Sequence, residues 1–202
     1  MILRPDPRGT LAIGQPAHAW LSGRLAEAWC WRFEPRDAVR LAALQHDIGM
    51  AAWDAAPVLD PRSGLPYSFT SMPRAMHVEL WSRAARLMVA QSGYAALLRC
   101  WDWLSLFLCT GADQQAAFTA VPTDGQPADL DLRWSDDART QAALAPWPFT
   151  DPALGLRVEA RLLDGTYPDQ TSLDAALAVA PREVLTLVLR PGSAGQASAP
   201  QP

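Results

Sequence analysis

Two histidines and an aspartate near the start of this 202-residue chain have the types and spacing of metal ligands. His18 stands three residues before Leu21 and seven before Leu25, so it lies on the apolar stripe of a first predicted helix. His46 and Asp47 are adjacent, just before the glycine that ends a second predicted helix. Imidazole and carboxylate groups on separate helices can bind one divalent cation if the helices pack together.

Two further polar residues face inward from later predicted helices. His77 shares an apolar stripe with Trp81, and Asp102 shares one with Leu98. An aspartate directed into a core is rarely buried unless it is paired or bound to a metal, because desolvating an unpaired charge is costly. The chain has no lysine, and no arginine lies on the Asp102 stripe. We therefore predict a divalent metal ion, Mn, Fe, Zn or Mg, held by His18, His46, Asp47 and Asp102.

The elements that position these residues are predicted to be mainly helical. A short hairpin over 2–4 and 10–13 precedes four helices, and a loop of about 20 residues, 53–73, separates the second helix from the third. Three strand-like runs and one helix follow in 112–190. We expect one domain over 1–190, with a helical metal-site body at 14–111, a small C-terminal α/β annex at 112–190 and a disordered tail at 191–202.

Composition limits the classes of partner. The formal net charge of −4 provides no basic field for nucleic acid, and no apolar run reaches the roughly 20 residues that a membrane span needs. Three cysteines without CxxC spacing fit reduced thiols. These features favour a cytoplasmic protein that acts on a small molecule, and they leave an oligomer open.

The order His18, His46-Asp47, Asp102 resembles the HD superfamily of metal-dependent phosphohydrolases, a family of helical bundles. A closer resemblance is to the uncharacterised bacterial family called domain of unknown function 3891. The stretches that carry it are IGQPAHAWLSGRLAEAW (13–29), QHDIGMAAWDAAPVLDPRSGLPYSFTSMP (45–73), HVELW (77–81), WDWLSLFLC (101–109) and PWPF (146–149). In that family pattern a Ser-x-His element lies between the helices of His77 and Asp102. Its absence here argues against a two-metal site.

The HD-type ligand order implies a metal-dependent hydrolase of a phosphate ester. Asp54 and His77 are the candidate catalytic residues, and Arg24, Trp53, Arg62 and Tyr67 are the candidate substrate-binding residues. The alternative function is a non-catalytic module that binds a metal or a small ligand through a structural His/Asp cluster. Iron-dependent oxygen chemistry is a third, weaker interpretation.

Each of these side chains also has a purely structural interpretation. A lone inward histidine is more often a hydrogen-bonded core residue than a ligand. For His77 three interpretations stay open: a fifth ligand, a proton shuttle or a core residue. For Trp53 the structural interpretation, an anchor of its loop in the core, is favoured over substrate binding. Asp54 could cap backbone N–H groups, Arg62 could pair with Asp60, and Arg24 could be exposed.

Overall fold

A computed structural model describes residues 1–30, 32–98 and 130–192. Its centre is a curled, mixed sheet of six strands. The strands are β1 (Ile2–Asp6), β2 (Gly9–Ile13), β5 (Asp131–Trp134), β6 (Gln141–Ala145), β7 (Leu154–Leu163) and β8 (Arg182–Pro191), in the order β1-β2-β7-β8-β6-β5. Neighbouring strands are antiparallel except for β6 and β8, which are parallel.

The N-terminal hairpin joins this sheet through β2. Leu11 lies opposite Leu162 of β7 in the antiparallel register. Gly9, in the hairpin turn, has φ 147°, and a Cβ there would lie 2.1 Å from the carbonyl oxygen of Leu163. Only glycine fits this close approach to the neighbouring strand.

The helical layer begins with α1 (Gln15–Ala28) and α2 (Arg36–Gln45). A 3-10 turn (Ile48–Met50) and the short α3 (Ala51–Ala55) follow directly. The strands β3 (Leu59–Asp60) and β4 (Leu65–Pro66) then form a two-stranded ribbon, which is followed by α4 (Arg74–Val89). The chain is helical again over 93–98, and α5 (Gln170–Val179) crosses from β7 to β8.

Apolar residues of α1 and α5 attach these helices to the sheet. Leu21 and Leu25 of α1 pack against the buried Leu156 of β7. Leu173 and Leu177 of α5 pack in a separate cluster that includes Leu163, Ala12 and Met1. The sheet therefore packs against helices in more than one place, which explains why its strands contain so many apolar residues.

Two glycines bring the helices of the metal-site region close together. A Cβ at Gly23 of α1 would lie 2.7 Å from Cδ1 of Leu44 on α2. A Cβ at Gly49 in the 3-10 turn would lie 2.1 Å from the carbonyl oxygen of Leu80 on α4. Neither position has room for a larger residue without a shift of the backbone, so both glycines set how closely α1, α2 and α4 approach.

The predicted fold class, a mainly α HD-like bundle with a small annex, is wrong, and so is its description as all-α. The strand-like runs and the hairpin occur near their predicted positions, but β2 pairs with β7 and unites them in one large sheet. Local periodicity identifies single strands, whereas this pairing joins residues about 150 positions apart. Strand β6 was not predicted, and the presumed loop 53–73 contains the end of α3 and the β3–β4 ribbon.

Among the described residues, none of the helices has the length and apolar character required to cross a membrane. Asp102, together with most of the fourth predicted helix, lies outside the described residues, as does the tail from residue 193.

Candidate metal centre

Three of the predicted ligands come together between α1 and the end of α2. One potential ligand atom each from His18, His46 and Asp47 lies within 4.8 Å of the others. The rings of His18 and His46 meet edge to face, with centroids 5.2 Å apart. Nε2 of His46 is 3.2 Å from Oδ2 of Asp47. The carboxylate belongs to one of the most buried polar residues, since Asp47 is 4% exposed.

Local chain geometry fixes the orientation of the two adjacent residues. His46 caps the C-terminus of α2, and Asp47 precedes the 3-10 turn. Nδ1 of His46 lies 2.8 Å from the carbonyl oxygen of Ala43, which can only accept a hydrogen bond. In a neutral ring this contact places the proton on Nδ1 and leaves the lone pair on Nε2, the atom that faces Asp47. A backbone carbonyl behind a histidine is a common arrangement in metal sites.

Burial keeps His18 in the form that a metal ion needs. Desolvation lowers the pKa of His18 from its ordinary 6.5, and the nearby His46 lowers it further. The charge of Asp47 opposes both effects but does not outweigh them. His18 is therefore neutral at neutral pH, with a nitrogen lone pair available for coordination.

His77, on α4, is close enough for the charge of the same carboxylate to affect its pKa. Burial lowers the pKa of His77, the N-terminal ammonium lowers it further, and Asp47 acts in the opposite direction. Its ring packs against Phe69 and Trp81, with centroid distances of 4.7 Å and 5.3 Å. Its Nε2 is buried and has no hydrogen-bond partner within the described part of the chain. His77 therefore packs against two aromatic rings and is not one of the three residues whose ligand atoms converge.

The donor set fits a divalent transition metal. Bonds of about 2.1 Å at tetrahedral or octahedral angles place neighbouring ligand atoms roughly 3.0–3.4 Å apart. One of the three pairs, His46 and Asp47 at 3.2 Å, matches that spacing, and the ligand atom of His18 lies within 4.8 Å of both. Two imidazole nitrogens and one carboxylate form a set that suits Zn, Mn or Fe.

A protein-family comparison identifies the relatives of this chain. The model of the family described as "Protein of unknown function (DUF3891)" matches residues 1–100 and 94–165, well over half of the chain. The chain belongs to the DUF3891 family. No curated protein and no solved structure matches it. Nothing in these comparisons supports the expected kinship with the HD superfamily, and the six-stranded sheet is unlike a helical bundle.

In this DUF3891 protein Asp54 contacts the backbone and the N-terminus. Its Oδ1 accepts a hydrogen bond of 2.9 Å from the ammonium of Met1, and both groups are 5% exposed. Its Oδ2 accepts from the backbone N–H of Gln15, the first residue of α1. These contacts agree with the capping interpretation of Asp54. The same carboxylate also lines a cavity of about 280 Å³ between the start of α1, α3 and β7.

The two candidate arginines of the DUF3891 protein both pair with carboxylates. Arg24 is half exposed and donates to Glu27 on the outer face of α1. Arg62 donates to Asp60 through Nε at 3.0 Å and through a terminal nitrogen at 3.1 Å. The pairing of Arg62 with Asp60, one of the structural alternatives for Arg62, is therefore present.

Trp53 and Tyr67 belong to an apolar cluster beneath α4. Both pack, partly buried, against Met50, Met72 and Trp81. The indole Nε1 of Trp53 is buried and lacks a hydrogen-bond partner among the described residues. Both residues anchor their segments in the core, and Trp53 retains an unused donor there.

One polar residue near the cluster was missed by the sequence reasoning. Gln15 is 2% exposed and lies one helical turn before His18 on α1. Its spacing of three residues from His18 was the available signal, but a glutamine beside a proline at a helix start usually belongs to the surface.

Proposed function

We propose that this protein is a metal-dependent hydrolase whose divalent cation is bound by His18, His46 and Asp47. The observation that carries the proposal is the convergence of two imidazoles and a buried carboxylate within 4.8 Å. Three protein ligands would leave coordination positions for water and substrate, as would four in an octahedral shell, and such open positions are typical of catalytic rather than structural sites. Asp102 stays the predicted fourth ligand and lies outside the described residues.

A bound cation in such a site lowers the pKa of its water toward neutrality and neutralises charge on a phosphoryl group. The protein's own residues have distinct tasks. His46 is held in one tautomer by Ala43, and Asp47 supplies a negative charge away from solvent. His77 has a lowered pKa and is therefore neutral near pH 7, so it can accept a proton from the attacking water and return it to the leaving group.

A phosphate ester of a small molecule is the proposed substrate. The net charge of −4 is unfavourable for nucleic acid, and the metal would supply the positive charge that an anionic ester requires. Arg24 and Arg62 each neutralise a carboxylate, so anion recognition in this proposal rests on the cation.

The second candidate function is a structural or ligand-binding cluster without turnover. The contact of 3.2 Å between His46 and Asp47, together with the bond from His46 to Ala43, favours it. These contacts already tie the end of α2 to the 3-10 turn. A cluster that only joins α1, α2 and α4 needs no open coordination position.

Metal analysis and a substrate panel test the proposal and separate the two candidates. We expect about one transition metal per purified chain, and we expect the double variant His46→Ala, Asp47→Ala to lose it. Asp37→Asn is the matched control, because Asp37 lies on α2 with a fully exposed side chain. A double variant with wild-type metal content would refute the site.

Turnover is then measured on phosphomonoesters, phosphodiesters and nucleotides with added Mn. The wild type and Asp37→Asn should hydrolyse at least one of them, and the double variant should hydrolyse none. A protein that binds metal but turns over nothing on the panel would support the binding module.

A further inference from the structure

Two arginines stand side by side on one face of the central sheet. Arg161 of β7 and Arg182 of β8 are directly opposite each other in the antiparallel register. Residues opposed in this way have Cβ atoms about 4.5–5.5 Å apart, and two like charges at such positions are unfavourable. Both arginines line the same cavity of about 280 Å³, between the sheet, the start of α1 and α3. An anion in this cavity would relieve their repulsion.

The carboxylates that line this cavity do not already serve that purpose. Asp54 is bound to the ammonium of Met1, and both groups are 5% exposed. Glu159 stands two residues before Arg161, on the same face of β7. Within the described ranges the ion pairs are formed by other groups, and Glu159, Arg161 and Arg182 belong to none of them. The arginine pair and Glu159 therefore keep their charges available for a ligand.

Helix α5 anchors one of the two arginines. A terminal nitrogen of Arg161 donates a hydrogen bond of 3.1 Å to the carbonyl oxygen of Leu177, in the last turn of α5. A guanidinium has five N–H donors in a planar fork, so this bond leaves others free to meet an acceptor. Arg182 is exposed. The first arginine is thus fixed beside the cavity, and the second is accessible from solvent.

A second cavity continues the first along α1. Its volume is about 560 Å³, and the two cavities share Ala17 and Glu159 as lining residues. Trp20 of α1 and Val184 of β8 line it as well, at 52% and 49% exposure, together with Arg157. Val184 lies directly opposite Glu159 in the register, one step along the sheet from the arginine pair. Charged groups therefore adjoin apolar walls, a combination typical of sites for small molecules.

These groups complement a zwitterion that carries an apolar side chain. A carboxylate accepts paired, charge-assisted hydrogen bonds from guanidinium groups. The charge of Glu159 would repel a simple anion, but it would attract a ligand that also has an ammonium group. An aromatic ring can pack against the exposed indole of Trp20. An aromatic α-amino acid has all three features.

We propose that the two adjoining cavities bind an aromatic α-amino acid. Its carboxylate meets Arg161 and Arg182, its ammonium meets Glu159, and its ring packs against Trp20 and Val184. None of the three proposed metal ligands lines either cavity. The inference therefore goes beyond the proposed hydrolase and does not depend on it.

Three related probes test the proposal in the full-length protein. L-phenylalanine, 3-phenylpropionate and phenethylamine share a ring and a two-carbon chain, and the last two each lack one of the charged groups. In calorimetric titrations L-phenylalanine should bind at least about tenfold more tightly than either of the others, because each charged group forms hydrogen bonds in the site. A different order of affinities, or no binding of L-phenylalanine, would overturn the proposal.

Single substitutions assign the two charges to their residues. Arg182→Gln should weaken the binding of L-phenylalanine and of 3-phenylpropionate about tenfold. Glu159→Gln should lower the affinity for L-phenylalanine to that for 3-phenylpropionate. Arg190→Gln is the matched control, because Arg190 is exposed on the same strand as Arg182 and lines neither cavity.

Melting temperature is the second readout. Arg182→Gln removes one of two opposed like charges, so the ligand-free variant should melt at the wild-type temperature or higher. A clear decrease would mean that the arginine pair already has an internal counter-ion, and it would overturn the proposal. Binding that survives in both site variants, or that falls equally in Arg190→Gln, would also overturn it, because other residues would then hold the amino acid.

Discussion

Two buried aspartates in this protein have opposite surroundings. Asp60, in the β3–β4 ribbon, accepts two hydrogen bonds from the guanidinium of Arg62 and one from its backbone N–H. Arg62 holds the pKa of Asp60 below its ordinary value. Asp47 is equally buried, but the groups at its carboxylate are imidazoles, one of them His46 at 3.2 Å.

The two aspartates differ in whether the described residues give the buried carboxylate a permanent counter-ion. Arginine is always protonated, so Asp60 has a permanent counter-ion and serves the structure of its loop. Burial keeps His18 and His77 neutral near pH 7, so these two rings supply no counter-charge to Asp47, and His46 supplies one only when it is protonated. A metal ion would supply it.

The first prediction exchanges the charge of each aspartate for an amide. Asp47→Asn should abolish metal binding but leave the melting temperature of the metal-free protein unchanged or higher, because a buried charge without a permanent counter-ion is removed. Asp60→Asn should lower the melting temperature and keep full metal content. Calorimetric melting with and without Zn or Mn measures both effects.

The control for this prediction is Asp37→Asn, which should match the wild type in both measurements, since its side chain is fully exposed. If Asp47→Asn destabilised the metal-free protein as much as Asp60→Asn does, Asp47 would already have a permanent counter-ion, and the contrast between the two aspartates would be lost.

The second prediction inserts a methyl group in each region. Gly49→Ala brings a Cβ to 2.1 Å from the carbonyl oxygen of Leu80, so α4 must move away from the turn that carries Asp47. We expect a loss of roughly 1–3 kcal/mol in stability and a weaker metal affinity. Gly64→Ala, at φ 68° in the ribbon, should cost roughly 1–2 kcal/mol without changing metal affinity.

Denaturant melts and metal titrations of both variants provide the measurement. Gly155→Ala is the neutral control, because a Cβ at Gly155 meets no atom within 4 Å. Equal losses of metal affinity in Gly49→Ala and Gly64→Ala would show that general destabilisation, and not the position of α4, governs the site.

The third prediction concerns pH. His18 and His77 have pKa values below 6.5 in the folded protein and near 6.5 when unfolded, so the unfolded state binds more protons once the pH falls below about 6.5. The metal-free protein should therefore lose stability between about pH 7 and pH 5. His18→Gln should reduce this loss, as melting curves across that range would show.

The region of Asp60 should not contribute to that loss, because the carboxylate of Asp60 has a lowered pKa and Arg62 stays protonated. Asp60→Asn should therefore show the same dependence on pH between about pH 7 and pH 5 as the wild type. A stability that is flat over this range in the wild type would contradict the neutral, buried state of the two histidines.

The sequence predicted the elements of the fold better than their assembly. Helical spacing of apolar residues located α1 and α4, and one of the strand-like runs corresponds to β7. The pairing of β2 with β7 and the parallel contact of β6 with β8 depend on tertiary packing between distant segments. No local pattern encodes such pairing, which is why a central sheet was mistaken for an annex.

The sequence identified some residues of the candidate site and missed others. His18, His46 and Asp47 come together as expected. A polar side chain on the apolar face of a helix becomes buried with that face, and it then lies beside the residues of the elements that cover it. Arg62 pairs with the buried Asp60, an alternative that the sequence had offered, whereas the pairing of Arg24 with Glu27 on the surface of α1 was not predicted. Gln15 was overlooked because glutamine has no charge whose burial would have indicated a ligand.

The pairing of β2 with β7 also has a consequence for biosynthesis. About 150 residues separate Leu11 from its partner Leu162, so the hairpin leaves the ribosome long before its neighbouring strand is made. Until then β2 exposes a free edge that can pair with other chains. Closure of the sheet must await the C-terminal third of the polypeptide. We therefore expect slow, largely post-translational folding in which chaperones that shield open strand edges improve the yield.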